Sequence, residues 1–159
     1  MALKITRSAV NTDRTSPSLW TVLTSGLFAS RWIGRLAPQL EQLPLEPGQP
    51  TLLYFRTRGC TICGLIDMQV AAACHRGGVR LVIVDRHAKS EEPEALEIYT
   101  QPGNILDVGG PINTAYQIGV YPSFVLVKDG LIVFKDVGIK ARHEVYGEYL
   151  QKRFAALMA

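Results

Sequence analysis

Two cysteines separated by two residues are the first feature of this 159-residue chain that could do chemistry. Cys60 and Cys63 lie in the stretch "RGCTICG", and Cys74 follows further along. A thiol pair at this spacing can exchange with a disulfide, because one sulfur attacks and the other resolves the mixed product. The same spacing also supplies half of a zinc site, and it occurs as two inert core thiols.

The position of the pair favours redox chemistry. The apolar run "TLLYFR" has the length of a strand and ends just before the cysteines, where a helical pattern begins. A thiol at a helix start meets unpaired N–H groups and the positive end of the helix dipole, which favour the thiolate. Arg56 and Arg58 can add positive charge nearby. We therefore predict Cys60 as the attacking thiol and Cys63 as the resolving thiol.

A metal site is the main chemical alternative. Cys74 and His75 could supply two further ligands, but adjacent residues of a helix point about a third of a turn apart. We predict no bound metal, and we interpret Cys74 as a small buried apolar residue of the helix. Met68 is predicted to lie in the core. A copper-handling site would need a histidine or methionine cluster, whereas the histidines are scattered and predicted at the surface: His75, His87 and His143.

A proline supplies the second candidate site. Pro122 in "GVYPSFVLV" directly precedes an apolar strand pattern, where a trans proline fits poorly, and proline alone makes a cis bond accessible. A cis bond would turn the backbone N–H and C=O of Tyr121 outward, free to pair with an extended peptide. The alternative is an ordinary proline at a strand start. We assign substrate binding to Tyr121, Pro122, Gly59, Thr61 and Ile62.

The surrounding pattern predicts the elements that would position these residues. "CGLIDMQVAAACHR" carries Leu65, Met68 and Ala72 at helical spacing, and the run "VRLVIVD" predicts a buried strand parallel to the first. A more polar stretch then predicts a helix in "SEEPEALEIYTQ", a short strand in "PGNILDVGG" and a short helix in "PINTAYQIG", closed by Gly119.

The C-terminal part predicts a hairpin and a helix. The Asp-Gly pair in "SFVLVKDGLIVFKDVG" is a strong hairpin turn signal. The last segment predicts a helix with one apolar stripe, formed by Val145, Tyr149, Phe154 and Leu157. The order βαβ, an excursion and then ββα predicts an α/β fold, in which helices flank a central mixed sheet.

The N-terminal third predicts an appendage to this domain. Four prolines in "PQLEQLPLEPGQP" indicate a semi-rigid linker over residues 38–50, so the domain is placed at 51–159. Residues 1–37 contain basic residues followed by the segment Leu19 to Ala37, whose uninterrupted apolar core is the short run from Leu19 to Ser30. This outline indicates a signal peptide or, because no clear cleavage site follows, a signal anchor. The equally weighted alternative is an amphipathic helix packed on the domain or lying on a membrane, with Leu19, Val22, Leu23 and Leu27 on one side.

Residues from about 48 to 157 resemble the thioredoxin fold family. The matching pieces are "TLLYFRTRGCTIC", "YQIGVYPSFVLVKDGLIVFKDVG" and the C-terminal helix. Within the family, the chain is most similar to the TlpA/ResA/DsbE-like branch, which includes the ScsD-type protein disulfide oxidoreductases. The resemblance implies a nucleophilic Cys60, a resolving Cys63, a cis Pro122 and a last strand closed by Gly138. It also implies protein thiol or disulfide substrates, a redox partner protein and anchoring in the bacterial periplasm.

Three positions depart from the family pattern. Gly59 stands where a tryptophan often precedes the first cysteine, Tyr54 falls at the buried acid, and Met68 falls at the helix proline. Because these residues manage protons and redox poise in the family, the direction of electron flow is left open. The fold prediction does not depend on them.

The sequence thus supports one function and leaves others open. We expect a thiol–disulfide oxidoreductase whose redox group is a Cys60–Cys63 disulfide, with no other cofactor. The alternatives are a redox-inactive peptide-binding module, a thiol-based copper or zinc protein and a cytoplasmic location. The net charge of +3 comes without a run of Lys and Arg, which argues against nucleic acid as a partner.

Overall fold

The computed structural model describes residues 19–20, 28–87 and 103–159. Its centre is a five-stranded mixed sheet with the strand order β3-β2-β1-β4-β5. The strands are β1 (Thr51–Thr57), β2 (Arg80–His87), β3 (Asn104–Val108), β4 (Ser123–Lys128) and β5 (Leu131–Val137). β1, β2 and β3 run parallel to one another, and β4 runs antiparallel to β1 and β5. The predicted strands and mixed sheet are confirmed.

Among the described residues, three α-helices cover the sheet: α1 (Thr61–Gly77), α2 (Pro111–Ala115) and α3 (Tyr146–Met158). Short 3-10 helices also form at Ala29–Trp32 and His143–Val145. α1 and α3 pack on one face, where Ile66, Val70, Leu150 and Phe154 meet strand residues such as Tyr54 and Phe124. The other face is covered by α2 and by the chain before β1, through Ile112, Tyr116, Ala37 and Leu43. The prediction of helices flanking the sheet is confirmed.

The turns follow from the local sequence. α1 ends at Gly78, whose φ of 62° lies in the left-handed region that glycine enters without a steric penalty. At the β4–β5 turn, Asp129 and Gly130 both have positive φ, as a two-residue hairpin turn that matches the strand twist requires. The short helix α2 begins at Pro111 as predicted, but it ends at Ala115, well before Gly119.

The predicted apolar face of α1 is wrong. Leu65 and Met68 are 51% and 83% exposed, and the buried face runs instead through Cys63, Ile66, Val70, Ala73 and Cys74. The predicted stripe of α3 is confirmed at Phe154, which is buried, and at Tyr149 and Leu157, which pack against the core. It is wrong at Val145, which precedes the helix and is 42% exposed. Both helices carry apolar residues on more than one side, so their periodicity does not select a single face.

The residues before β1 lie on the sheet rather than forming a free linker. The N–H of Gly34 donates to the carbonyl of Ile132, and the N–H of Ile132 donates to the carbonyl of Arg35. Leu36 bridges to Leu131, and Leu43 is 4% exposed within the core. The structure thus differs from the expected anchor at Gly34 to Ala37, because Gly34 and Arg35 are hydrogen-bonded to Ile132 of β5 and Ala37 to Gly130 of the turn before it. It differs from the expected linker at Leu43, whose side chain is buried in the core.

Other N-terminal and central predictions concern residues outside those described. They are the leading segment 1–18, the side chains of Val22, Leu23 and Leu27, and the helix expected in "SEEPEALEIYTQ". Across the described residues, no helix combines the length and the apolar character needed to span a bilayer.

Candidate functional site

The two cysteines of the motif form a disulfide at the start of α1. The Cα atoms of Cys60 and Cys63 are 5.3 Å apart. Cys60 is the residue before the first helical turn, and its Sγ accepts a hydrogen bond from the N–H of Cys63 at 3.2 Å. Cys60 is partly exposed, whereas Cys63 is completely buried. A reactant from solvent can therefore approach Cys60 more easily than Cys63.

The sheet brings the proline beside this pair. β1 and β4 are antiparallel, with Phe55 opposite Ser123, so the end of β1 lies next to the start of β4. Cys60 follows the end of β1, and Pro122 directly precedes β4. Both Cys60 and Tyr121 pack against the same core cluster. The structure thus brings together the two predicted halves of the site.

The Tyr121–Pro122 peptide bond is cis, as the sequence predicted. The carbonyl of Pro122 accepts a hydrogen bond from the N–H of Gly138, which directly follows β5. Within the described part of the chain, the N–H of Tyr121 has no hydrogen-bond partner. This backbone group is therefore available to pair with an incoming strand.

The remaining predicted contacts surround the disulfide. Gly59 and Thr61 are exposed, and Ile62 is partly exposed. A Cβ atom built on Gly59 would have no atom within 4 Å, so open space lies where the family often places a tryptophan. These three residues lie within two positions of Cys60 in the sequence and are at least partly exposed beside it.

A polar cluster that the sequence analysis did not identify lies next to Cys63, between β1 and α1. The hydroxyl of Tyr54 donates to Asp67 Oδ1 at 2.8 Å and lies 3.3 Å from the carbonyl oxygen of Cys63. Arg56 donates to the other oxygen of Asp67 at 2.5 Å. Asp67 is one helical turn beyond Cys63, and this i, i+4 spacing is the signal that could have identified it. A carboxylate therefore lies close to the motif, although it comes from the helix and not from β1.

Burial keeps two side chains protonated, that of Tyr54 beside the motif and that of Cys74 near the end of α1. Burial, followed by the hydrogen bond to Asp67, raises the pKa of Tyr54 far above its ordinary value, so its hydroxyl keeps its proton. Burial also raises the pKa of the Cys74 thiol to about 12. Cys74 is 2% exposed, which confirms the prediction of a buried apolar role.

The positions of the other metal-ligand candidates separate them from the motif. Cys74 and His75 lie in the last turns of α1, about 20 Å along the helix from Cys60. His87 is 1% exposed, so its predicted surface location is wrong; it lies at the end of β2. In residues 19–20, 28–87 and 103–159, no group of three or more His, Cys, Asp or Glu side chains is arranged to hold a metal ion.

Comparisons with known proteins place this architecture. No protein-family model matches the chain. The methylamine utilization protein MauD of Methylobacillus flagellatus is 28% identical over 92 residues, which are 57% of this chain and 45% of that protein. The chain thus spans less than half the length of the curated relative that it matches.

Solved structures show the same fold at low sequence identity. A candidate thiol:disulfide interchange protein DsbE from Chlorobium tepidum matches with a TM-score of 0.59 and 19% identity, over 80% of this chain and 98% of that one. A secreted disulfide oxidoreductase of Mycobacterium tuberculosis, homologous to E. coli DsbE, matches with a TM-score of 0.53 and 20% identity, over 70% and 84% of the two chains. The chain therefore has the thioredoxin-like fold that the sequence predicted, in the form seen in DsbE-like structures.

Proposed function

We propose that this chain is a protein thiol–disulfide oxidoreductase that works through Cys60 and Cys63. The observation that carries the proposal is the disulfide at the start of α1, with the partly exposed Cys60 beside the cis Tyr121–Pro122 bond. A reversible disulfide needs one accessible sulfur and one protected sulfur within bonding reach, and this pair has both. The fold shared with DsbE-like structures agrees with this chemistry.

The reaction moves two electrons between the pair and a substrate. In the reducing direction, the Cys60 thiolate attacks a substrate disulfide and releases one substrate thiolate, which takes up a proton. Cys63 then loses its proton and attacks Cys60 Sγ, which releases the second substrate thiolate and leaves the Cys60–Cys63 disulfide. In the oxidising direction, the same steps run backwards and the substrate gains the disulfide.

Local groups support the role of Cys60 as the nucleophile. In the reduced chain, the N–H of Cys63 can donate to the Cys60 thiolate, as it donates to Cys60 Sγ in the disulfide. The positive end of the 17-residue helix α1 stabilises the same thiolate. No cofactor beyond the two sulfurs is needed for this exchange.

The substrates proposed are protein thiols or disulfides, presented on an extended segment. The unpaired N–H of Tyr121 provides one backbone hydrogen bond to such a segment, in the manner of an added strand. Gly59, Thr61 and Ile62 border the approach to Cys60 and supply the remaining contacts. A second redox protein is required to return the pair to its starting state after each turnover.

Redox titration of the purified chain tests the function. The protein is equilibrated with dithiothreitol or glutathione buffers, its thiols are alkylated, and the added mass is measured. We expect one two-electron transition, lost in Cys60→Ser and in Cys63→Ser and retained in the matched control Cys74→Ser. A Cys63→Ser variant should also hold substrates as mixed disulfides on Cys60.

Two outcomes would favour the alternative functions. A pair that never closes reversibly, in a chain that still binds peptides, would indicate a redox-inactive binding module. Stoichiometric copper or zinc in the purified protein, lost in the cysteine variants, would indicate a metal-binding protein. The titration and a metal analysis of the same sample therefore separate the three functions.

The proposed location is the bacterial periplasm. Disulfides persist in oxidising compartments, and one structure with this fold is described as secreted. We place any anchoring to the inner membrane in residues before Gly34, because Gly34 and Arg35 are hydrogen-bonded to Ile132 of β5. Cell fractionation of the full chain, compared with a chain that lacks residues 1–27, tests both statements. Recovery of the full chain in the cytoplasmic fraction would contradict them.

A further inference from the structure

A chain of polar side chains leads from β3 to the hydroxyl of Tyr121, and the cysteine chemistry does not use it. Tyr121 donates a hydrogen bond to Asn113 Oδ1 at 2.7 Å, and Arg86 donates to the Tyr121 hydroxyl at 3.4 Å. Asn113 donates through Nδ2 to Asp107 Oδ2 at 2.6 Å. Asp107 and Asn113 are 2% and 1% exposed, so this part of the network is shielded from solvent.

Asp107 fixes the direction in which the Asn113 amide points. Its carboxylate also accepts the N–H groups of Ile112 and Asn113, at 3.0 and 2.9 Å. Because the oxygens of Asp107 accept from N–H groups and the Tyr121 hydroxyl donates, the amide nitrogen of Asn113 faces Asp107 and its oxygen faces Tyr121. A buried amide and carboxylate are costly unless they are paired, so this fully paired arrangement is strongly preferred over alternatives.

The network holds the Tyr121 side chain by its hydroxyl group. The ring packs against the core clusters on both faces of the sheet. Burial raises the pKa of Tyr121, so the hydroxyl stays protonated and can act as the donor to Asn113. With its ring packed and its hydroxyl bonded, the side chain cannot turn outward to cover its own backbone N–H.

We propose that Asn113 is a positioning residue for peptide recognition. By holding the Tyr121 hydroxyl, it keeps the backbone N–H and C=O of Tyr121 presented to an extended substrate segment. A backbone segment that is already held in its bound conformation loses less entropy when a peptide pairs with it. This inference rests on the proposed function, and it assigns as substrates disulfides that lie within a polypeptide, in preference to small disulfides that cannot pair with the backbone.

The Asn113→Leu variant tests this role, because leucine keeps the size of the side chain and removes both amide hydrogen bonds. Its kcat and KM are measured with a peptide that contains one internal disulfide, and with glutathione disulfide. We expect the ratio of the two kcat/KM values, peptide over glutathione disulfide, to fall roughly tenfold through a higher KM for the peptide. The matched control is Thr114→Val, an exposed position of the same helix, which should leave the ratio unchanged.

Each result bears on the inference. An unchanged ratio, or an equal loss with both substrates, would overturn it, because positioning acts on the peptide alone. A chain that exchanges with neither substrate before any substitution would overturn the proposed function, which is a different result. If Asn113→Leu does not fold, Tyr121→Phe removes only the hydroxyl, and the same tenfold fall in the ratio is expected.

Discussion

The hydroxyl of Tyr54 donates a hydrogen bond to the carboxylate of Asp67, which lies one turn after Cys63 in α1. The bond joins β1 to the helix that carries the disulfide. The Tyr54 ring is fully buried and stacks on Phe124, with ring centres 5.0 Å apart. Arg56 completes the contact from the same strand. The position of the cysteine-bearing turn on the sheet therefore depends on a polar contact within an otherwise apolar interface.

We expect Tyr54→Phe to lower the free energy of unfolding by about 1 kcal/mol, because a buried hydrogen bond is lost and the ring is kept. Asp67→Leu should cost at least as much, because it removes the acceptor for Tyr54 and the contact with Arg56. Since both substitutions remove the bond between Tyr54 and Asp67, the double variant should lose less stability than the sum of the two single variants. Urea unfolding of the four proteins measures this coupling.

The control pair for this cycle is Tyr149→Phe with Asp67→Leu. Tyr149 bonds to Asp136, not to Asp67, so these two effects should add. Additive effects of Tyr54→Phe and Asp67→Leu would show that the bond contributes nothing to stability in solution.

The chain before β1 is part of the folded core, and Leu43 tests this. Its side chain is 4% exposed, so Leu43→Ala should cost about 2–5 kcal/mol of unfolding free energy. Leu36, from the same segment, is 78% exposed, so Leu36→Ala should change stability by less than about 0.5 kcal/mol. Thermal or urea unfolding measures both. Equal, small effects would mean that this segment is detached from the sheet in solution.

The sequence was informative where local chemistry decides the structure. The apolar runs predicted β1, β2, β4 and β5. The Asp129–Gly130 pair predicted the hairpin that joins β4 to β5. The order of elements then brought Cys60 and Pro122 to the same end of the neighbouring strands β1 and β4. These predictions depend on short-range patterns and on topology, both of which can be read from one chain.

Long-range side-chain contacts could not be read in this way. Asp67 belongs to the site because Tyr54 and Arg56 of β1 bind its carboxylate. Asn113 belongs to it because Asp107 of β3 binds its amide group. Leu65 and Met68 looked like core residues because α1 is apolar on several sides, and packing against the sheet decides which side is buried. Such contacts require the tertiary structure, so periodicity alone cannot supply them.

Cys74 should be far less reactive than the motif cysteines. Burial raises the pKa of its thiol to about 12, so almost no thiolate forms near neutral pH. In the reduced native chain, we expect iodoacetamide to label Cys60 first and to leave Cys74 unlabelled until denaturant is added. Peptide mass mapping over time measures this order. Labelling of Cys74 as fast as that of Cys60 in the native chain would show that the packed interface between α1 and the sheet opens readily.

A buried lysine joins the N-terminal segment to the sheet and should make stability depend on pH. Lys135 is 6% exposed, donates to the carbonyl of Tyr116 at 2.8 Å and lies 4.2 Å from the centre of the Trp32 ring. Burial lowers its pKa from 10.5 to about 8. Between these two values the unfolded chain holds a proton that the folded chain does not, so the free energy of unfolding should rise with pH across that window.

The Lys135→Met variant isolates this contribution, because the other titrating groups cancel when it is compared with the unaltered chain. We expect the stability of the unaltered chain, relative to Lys135→Met, to increase from about pH 8 to about pH 10.5 and to level off above it. Urea unfolding at several pH values measures the difference, and Lys152→Met controls for the loss of one exposed positive charge. A relative stability that stays flat or falls across this range would mean that the Trp32 ring and the Tyr116 carbonyl hold Lys135 in its charged form despite its burial.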